Sequence, residues 1–440
     1  MTGTTARADA RIAVIGAGAK AAAIAAKADC LRNAGVKNIE VTIFEQADEA
    51  AANWSGQGGY TDGKLELCTP TVHDLGYPYD TGAFSPAVTE DMQARYSWMR
   101  FAVRHLGGSS EGRWADLMEA RPSHLRFAEY LQFAIAQSRA RLETGWTVDS
   151  LSVTGGKWSV SAIPTAGGPA KPFGDFDGVV VTGPGPANTT VGNEPHPLLF
   201  NGKDVWQRLP QLVGAIQASR EPIVVVGAGG AAASIVAWLI SAGFENRTFI
   251  FVANQAAIYT RSPGYFEQLV FEAGDDWKML GKTEREEFVK RLTRSVVWEA
   301  VAERLKRASA IIMAPGRAQS MSDVPADAGM PAGIQVTYQA SNDKFGLIDV
   351  EGCVVIDAAG FNPWWFKDLL PSPWKDEPVD AFKGHAEGMD DDLCLTLAGL
   401  PPLHVPTCSQ AIGPGFGSLL VLGEMADRVL SRYVYGAAPS

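Results

Sequence analysis

The sequence predicts an α/β fold of two doubly wound units, each a parallel sheet flanked by helices. Three observations predict it. Short apolar runs such as residues 11–15 and 222–226 read as strands buried on both faces. Each of these runs ends in a glycine-rich turn that opens an alanine-rich helix. The second turn, Gly227-Ala-Gly229, repeats the pattern of the first, Gly16-Ala-Gly18, in the other half of the chain.

Taken in order, residues 11–15 (Arg-Ile-Ala-Val-Ile) form the first strand. The helix after its turn runs to about residue 34, and Gly35 is a natural stop. A second strand at 40–44 ends in Glu45 and completes a βαβ start. Residues 53–90 carry no long period and are rich in Gly, Pro and Asp, the composition of a long functional loop. Helical patterns follow near 91–106 and 123–141; in the second, Phe127, Leu131, Ala134 and Ile135 share a face. Residues 147–153 and 157–163 read as a hairpin around Gly155-Gly156. Another buried strand begins at Asp177 and ends in the glycine turn 183–185, and Asn193-Glu-Pro-His-Pro197 marks a boundary. The second βαβ start has strands at 222–226 and 249–252. Thr283-Glu-Arg-Glu286 fits a capping box and predicts one helix to about residue 307. Residues 353–360 form a late strand, expected to complete the first sheet, and the tail 413–417 leads into a last apolar helix over 418–433.

Composition excludes several classes. The 440 residues carry 38 Lys+Arg against 49 Asp+Glu, a net charge of −11, which disfavours nucleic acid as a partner. No apolar stretch reaches the ~20 residues of a membrane span, and the N-terminus shows no apolar leader. The cysteines (Cys30, Cys68, Cys353, Cys394, Cys408) are scattered and form no CxxC. That fits a reducing cytoplasm and offers neither a zinc site nor a redox dithiol. The histidines show no metal-ligand spacing, so no metal is expected.

Gly16, Gly18 and Ala21 fit GxGxxA between a strand and a helix. The first glycine allows the tight turn, the second lets backbone approach a pyrophosphate, and the small third residue lets helix and strand pack closely. Phosphates then sit on free N–H groups at the helix N-terminus. Ala19 and Lys20 complete that turn, and Glu45, followed by Gln46, is placed to accept a ribose hydroxyl. Gly227, Gly229, Gly230, Ala231, Ala232 and Ser234 form the second turn. The strand after it ends in Asn254 rather than an acid, which leans toward NADPH over NADH. Arg261 is a candidate partner for the extra phosphate or else a solvated surface arginine. Two nucleotides imply an FAD domain (residues 1–210 and 346–440) interrupted by an NADPH domain (211–345), with the substrate pocket between them.

The motifs Val14-Ile-Gly-Ala-Gly-Ala-Lys-Ala21, Ala52-Asn-Trp54, Gly58-Gly-Tyr-Thr-Asp-Gly63 and Leu75-Gly-Tyr-Pro-Tyr79 resemble those of N-hydroxylating flavin monooxygenases. So do Thr182-Gly-Pro-Gly185, Thr260-Arg-Ser-Pro-Gly-Tyr-Phe-Glu267, the run 355–366 and Gly413-Pro-Gly-Phe416. Within that family they resemble the lysine N6-hydroxylases of mycobactin- and nocobactin-type siderophore pathways. The resemblance spans nearly the whole chain, in order. It implies that NADPH reduces FAD, that O2 adds to form a C4a-hydroperoxyflavin, and that one oxygen passes to the primary amine of an amino acid or related small molecule. It also implies a homo-oligomer, Trp54 either against the flavin or packing a loop, and Gly360 and Pro414 near the flavin. At positions that resemble the family's substrate contacts this chain carries His73, Gln268, Thr293 and Leu420, where Lys, Asn, Asn or Asp, and Ser are usual. L-Lysine is the first expectation, with ornithine, arginine or a diamine as alternatives.

Rival flavoproteins lack support. A disulfide reductase needs a redox cysteine pair, and the Baeyer–Villiger fingerprint is missing between the two turns. A non-catalytic nucleotide-binding protein stays open at this level.

Overall fold

The computed structural model describes residues 8–57, 59–105, 121–192, 196–261, 265–272, 274–293, 296–326 and 332–436. Two sheets organise the chain. The first is all parallel, in the order β17-β7-β1-β2-β3, where β1 is Ala10–Ile15, β2 Ile39–Glu45, β3 Arg141–Thr144, β7 Gly178–Val181 and β17 Leu403–His404. An antiparallel trio, β4 (Trp146–Thr154), β5 (Lys157–Pro164) and β6 (Lys171–Phe176), stands beside it, with the expected Gly155-Gly156 hairpin between its first two strands.

The second sheet has the order β15-β14-β13-β10-β9-β16-β8. Its parallel strands are β8 (Leu199–Asn201), β9 (Ile223–Val226), β10 (Thr248–Ala253), β13 (Ala310–Val324) and β16 (Val354–Asp357). Two antiparallel strands, β14 (Gly333–Ala340) and β15 (Leu347–Gly352), extend it. Both sheets therefore place the strand before the glycine turn at the centre, with the next strand on one side and a later strand on the other. The gap between those neighbours is the topological switch point, where α/β sheets bind ligands.

Five expectations need correction. The strand near 353–360 pairs with β9 and β8, so it completes the second sheet, not the first. A Val-Val-Ile run buried on both faces fits any central position, and its periodicity does not name its neighbours. With β8, β15 and β16 included, the second sheet also reaches beyond the expected 211–345 span on both sides. The single helix expected over 283–307 is two helices, Lys282–Thr293 and Glu299–Leu305, separated by β12 (Val296–Trp298). Pairing of β12 with β11 (Tyr259–Arg261) overrides the helical pattern, because a β-branched and aromatic triplet gains more from the partner strand. Thr283 lies inside the helix that begins at Lys282, so it does not cap it. The helical stretch near 91–106 is likewise two helices, Pro86–Tyr96 and Trp98–His105. Pro86 sits in the first turn, where its missing N–H costs nothing. The boundary expected at 193–197 lies partly outside the described residues.

Helix α1 (Ala19–Asn33) is buried almost all round, because alanines let it fit between the first sheet and the terminal helix, α2 (Leu422–Tyr435). Its buried charges are paired: Lys27 Nζ meets Asp427 at 2.7 Å, and Asp29 accepts from Tyr96 at 2.7 Å and pairs with Arg95. Among the described residues no helix is long and apolar enough to cross a membrane.

Candidate functional site

The two glycine turns have the same geometry. Gly16 and Gly227 take φ of +95° and +97°, in the left-handed region that side chains resist. A Cβ on Gly16 would lie 2.8 Å from Thr182 Oγ1, and one on Gly227 would lie 2.7 Å from the Ala358 carbonyl. Each first glycine thus lets its turn pass against the strand across the switch point. The second glycines differ: a Cβ on Gly18 or Gly229 would meet nothing within 4 Å. Each is the N-cap of its helix, in extended conformation and with no side-chain cap. Free N–H groups therefore face open space, a cradle shaped for an anion.

The first turn opens into a cavity of about 310 Å³ lined by Gly16, Glu45, Gln46, Val148 and the backbone of 183–187. Glu45 accepts the Ala17 N–H at 2.8 Å on one oxygen and the Ala47 N–H at 3.0 Å on the other. Each oxygen keeps a free lone pair for a ribose hydroxyl. Thr182 donates to the Ile15 carbonyl at 2.8 Å and holds the turn to β7. Gly183 and Gly185 line this cavity and were missing from the expected site residues, although their place after a buried strand signalled a second half to the cradle.

The other residues expected at the first turn stand outside this cavity's lining. Ala19 and Ala21 open α1 and are buried in the core, Ala21 completely, where the small residue of GxGxxA lets helix and strand pack. Lys20 turns away from the cavity and donates to the Gly417 carbonyl at 2.9 Å, and burial pushes its ammonium pKa down to about 8. Trp54 packs edge-on against His124 and Phe127. Gly360 stands not at the first turn but at the second, a consequence of β16's place in the sheet.

The second turn opens into a larger cavity, about 680 Å³, lined by Gly227, Gly229, Gly230, Ala231, Asn254 and Gly360. No acid lines it among the described residues, and its one cation is Arg317 on β13, which sequence reasoning missed. Nothing local marks Arg317; only the pairing of β13 with β10 brings it there. Ala232 is buried in the core. Ser234 faces a small separate cavity shared with Cys68 and His124. Burial lowers the His124 pKa to about 4, so this neighbour of Trp54 stays neutral.

A third cavity, about 270 Å³, lies between the helical region after β11 and the loop 407–418. Pro414 lines it, and so does Arg261, which therefore stands away from the second turn's cavity. The helices that carry Gln268 and Thr293 contribute Phe271, Val289 and Leu292 to its wall, while the side chains of Gln268 and Thr293 themselves lie outside the described residues. Leu420 follows the loop and is buried. His73 Nδ1 lies 2.9 Å from the Leu420 carbonyl oxygen, so these two expected positions meet. A fourth cavity shares Arg261 and Leu292 with the third and Gln255 with the second.

Comparison with known proteins places this arrangement. No family model matches the chain. L-Lysine N6-monooxygenase MbtG of Mycobacterium tuberculosis is 31% identical over 440 residues, covering 96% of this chain and 95% of the relative. The chain belongs to the N-hydroxylating flavin monooxygenases. The MbtG of Mycolicibacterium paratuberculosis matches at 31% over 438 residues, covering 95% of this chain and 94% of that one. The lysine monooxygenase NbtG from Nocardia farcinica superposes with a TM-score of 0.74 at 28% identity, covering 96% of this chain and 99% of that chain. The ornithine N-hydroxylase KtzI of Kutzneria shares the fold, with a TM-score of 0.73 at 16% identity, covering 96% of this chain and 98% of that chain. For a flavin monooxygenase of this family, FAD and NADPH are the cofactors and O2 the co-substrate. Two open cradles, one carrying a carboxylate placed for a ribose and one carrying none among the described residues, fit that pair.

Proposed function

We propose that the first turn holds FAD, the second holds NADPH, and the third cavity receives an amino acid whose side-chain amine is N-hydroxylated. The observation that carries this reading is the pair of superimposable turns, each with its second glycine facing open space. Bound FAD supplies the activation of O2 once NADPH has reduced it. This chain's residues then do the rest. The N–H groups at the starts of α1 and of the helix Gly230–Leu239 bind pyrophosphate, and Glu45 orients a ribose. Arg317, in a cavity lined by no acid among the described residues, is the cation for the 2′-phosphate. The NADPH domain in this reading spans the strands β8 to β16, and the FAD domain takes both flanks.

The apolar wall of Phe271, Val289 and Leu292 excludes water where the amine must lose its proton. Desolvation disfavours the ammonium form, and the neutral amine is the nucleophile. L-Lysine is the first candidate, supported by the relatives' names, and ornithine, arginine and short diamines follow. A role in siderophore biosynthesis, a cytoplasmic location and a homo-oligomeric state belong to the same reading. The test mixes protein, FAD and NADPH with a panel of amines and measures hydroxylamine. Hydroxylamine from at least one amine supports the reading. NADPH oxidised only to peroxide overturns the substrate class, and no NADPH oxidation overturns the enzyme.

A further inference from the structure

We propose that Arg261 anchors the carboxylate of an α-amino-acid substrate in the third cavity, and that this contact selects amino acids over the corresponding diamines. The inference rests on the reading of the third cavity as the substrate site.

Arg261 is the one cation among the described residues that line this cavity. Its guanidinium lies over the rings of Phe271 (5.0 Å) and Trp298 (5.3 Å), and its Nε is buried without a hydrogen-bond partner. Among the described residues it makes no ion pair. Glu267, the acid whose charge it feels, is paired with Arg291 at 3.2 Å. An arginine cannot shed its proton, so an Nε–H buried without a partner is costly and is relieved by an acceptor such as a carboxylate oxygen. Neither ring contact uses a guanidinium N–H, so the donors are left for a ligand.

The opposite wall supplies the complement. Ser409 and Ser418 line it, and their hydroxyls donate to the carbonyls of Pro406 (2.6 Å) and Gly415 (2.7 Å). Ser418 Oγ also accepts the Leu420 N–H at 3.1 Å, so the Ser409 oxygen is the one left without a donor among the described residues, a hydroxyl acceptor suited to an ammonium. A carboxylate beside an ammonium is the head of an α-amino acid, and a diamine lacks the anion. Of the other positions expected at the substrate, Gln268, Thr293 and Leu420 are neutral types, and His73 does not line this cavity, its Nδ1 lying 2.9 Å from the Leu420 carbonyl oxygen. Lys20, behind the loop, is committed to the Gly417 carbonyl. A cofactor phosphate is the rival source of the anion, but the second turn's cavity has its own arginine, Arg317, and does not include Arg261.

The experiment compares matched pairs, L-lysine with cadaverine and L-ornithine with putrescine, on FAD-loaded protein at saturating NADPH. Wild type should favour the amino acid of each productive pair by about 10- to 100-fold in kcat/KM, the scale of one charge-assisted contact. Arg261→Gln should collapse that ratio toward one, chiefly by raising the amino acid's KM, and Arg261→Lys should keep part of it. Equal turnover of diamines by wild type would overturn the proposal without touching the proposed reaction. A variant that instead loses its preference for NADPH over NADH, with the amino-acid ratio intact, assigns Arg261 to the cofactor phosphate and also overturns it. No hydroxylamine from any amine with wild type overturns both readings. Should Arg261→Gln not fold, the wild-type ratios and Arg261→Lys decide.

Discussion

The sharpest perturbation separates the two glycines of the first turn. Gly18→Ala places a Cβ where nothing lies within 4 Å, on a residue at φ −89°, ψ −163° that any amino acid adopts. The FAD-free chain should keep its stability to within ~0.5 kcal/mol. The same Cβ occupies the space a phosphate needs above the free N–H groups of α1. Losing two charge-assisted hydrogen bonds of ~1.5–3 kcal/mol each weakens FAD binding by roughly 10²- to 10⁴-fold. Gly16→Ala does the reverse. Its φ of +95° costs an L-residue about 1–2 kcal/mol, and its Cβ would press Thr182 Oγ1 at 2.8 Å. The FAD-free chain itself then unfolds at lower temperature. The assay pairs FAD titration by flavin fluorescence with thermal unfolding of the FAD-free protein. If Gly18→Ala binds FAD as wild type does, or destabilises the chain as much as Gly16→Ala, the assignment of that space to a phosphate is wrong.

Other outcomes follow from the same structure. Arg317→Gln should raise KM for NADPH by about 10-fold or more while barely moving KM for NADH, read from initial rates at both coenzymes. Lys27→Ala leaves Asp427 buried with only Thr81 donating to it, and should cost about 3–5 kcal/mol in denaturant unfolding. The double variant Lys27→Met with Asp427→Leu should recover most of that loss. Lys20 titrates near 8 when folded and near 10.5 when unfolded, so the unfolded chain binds more protons between those values. Stability should therefore rise with pH across that window, and Lys20→Met should flatten the rise in pH-dependent melting.

The chemistry that rests on neighbours in sequence was legible before the structure. Gly16, Gly18 and Glu45 belong to one βαβ unit, and short-range pattern is enough to bring them together. What escaped depends on pairing across long separations. The strand at 354–357 reads the same whichever sheet it joins, so Gly360 moved from one turn to the other once β9 proved to be its neighbour. Arg317 became visible only through β13, and Arg261 left the phosphate for the loop 407–418. Lys20 and Trp54 sit inside motifs, yet one side chain holds a distant carbonyl and the other packs on a helix. Motif membership places a backbone; where the side chain points is set by packing. The helix expected over 283–307 failed for the same reason, since β11 supplied Val296–Trp298 with a partner the local pattern does not contain.

One chain couples NADPH oxidation through FAD to oxygen transfer onto an amine. The direct measurement supplies isotopically heavy O2 to the FAD-loaded protein with NADPH and an amino acid such as L-lysine, then weighs the product by mass spectrometry. The account predicts a hydroxylamine carrying one heavy oxygen atom, formed in step with NADPH consumed. Steady NADPH oxidation that yields only peroxide, with every amine recovered unlabelled, would contradict it.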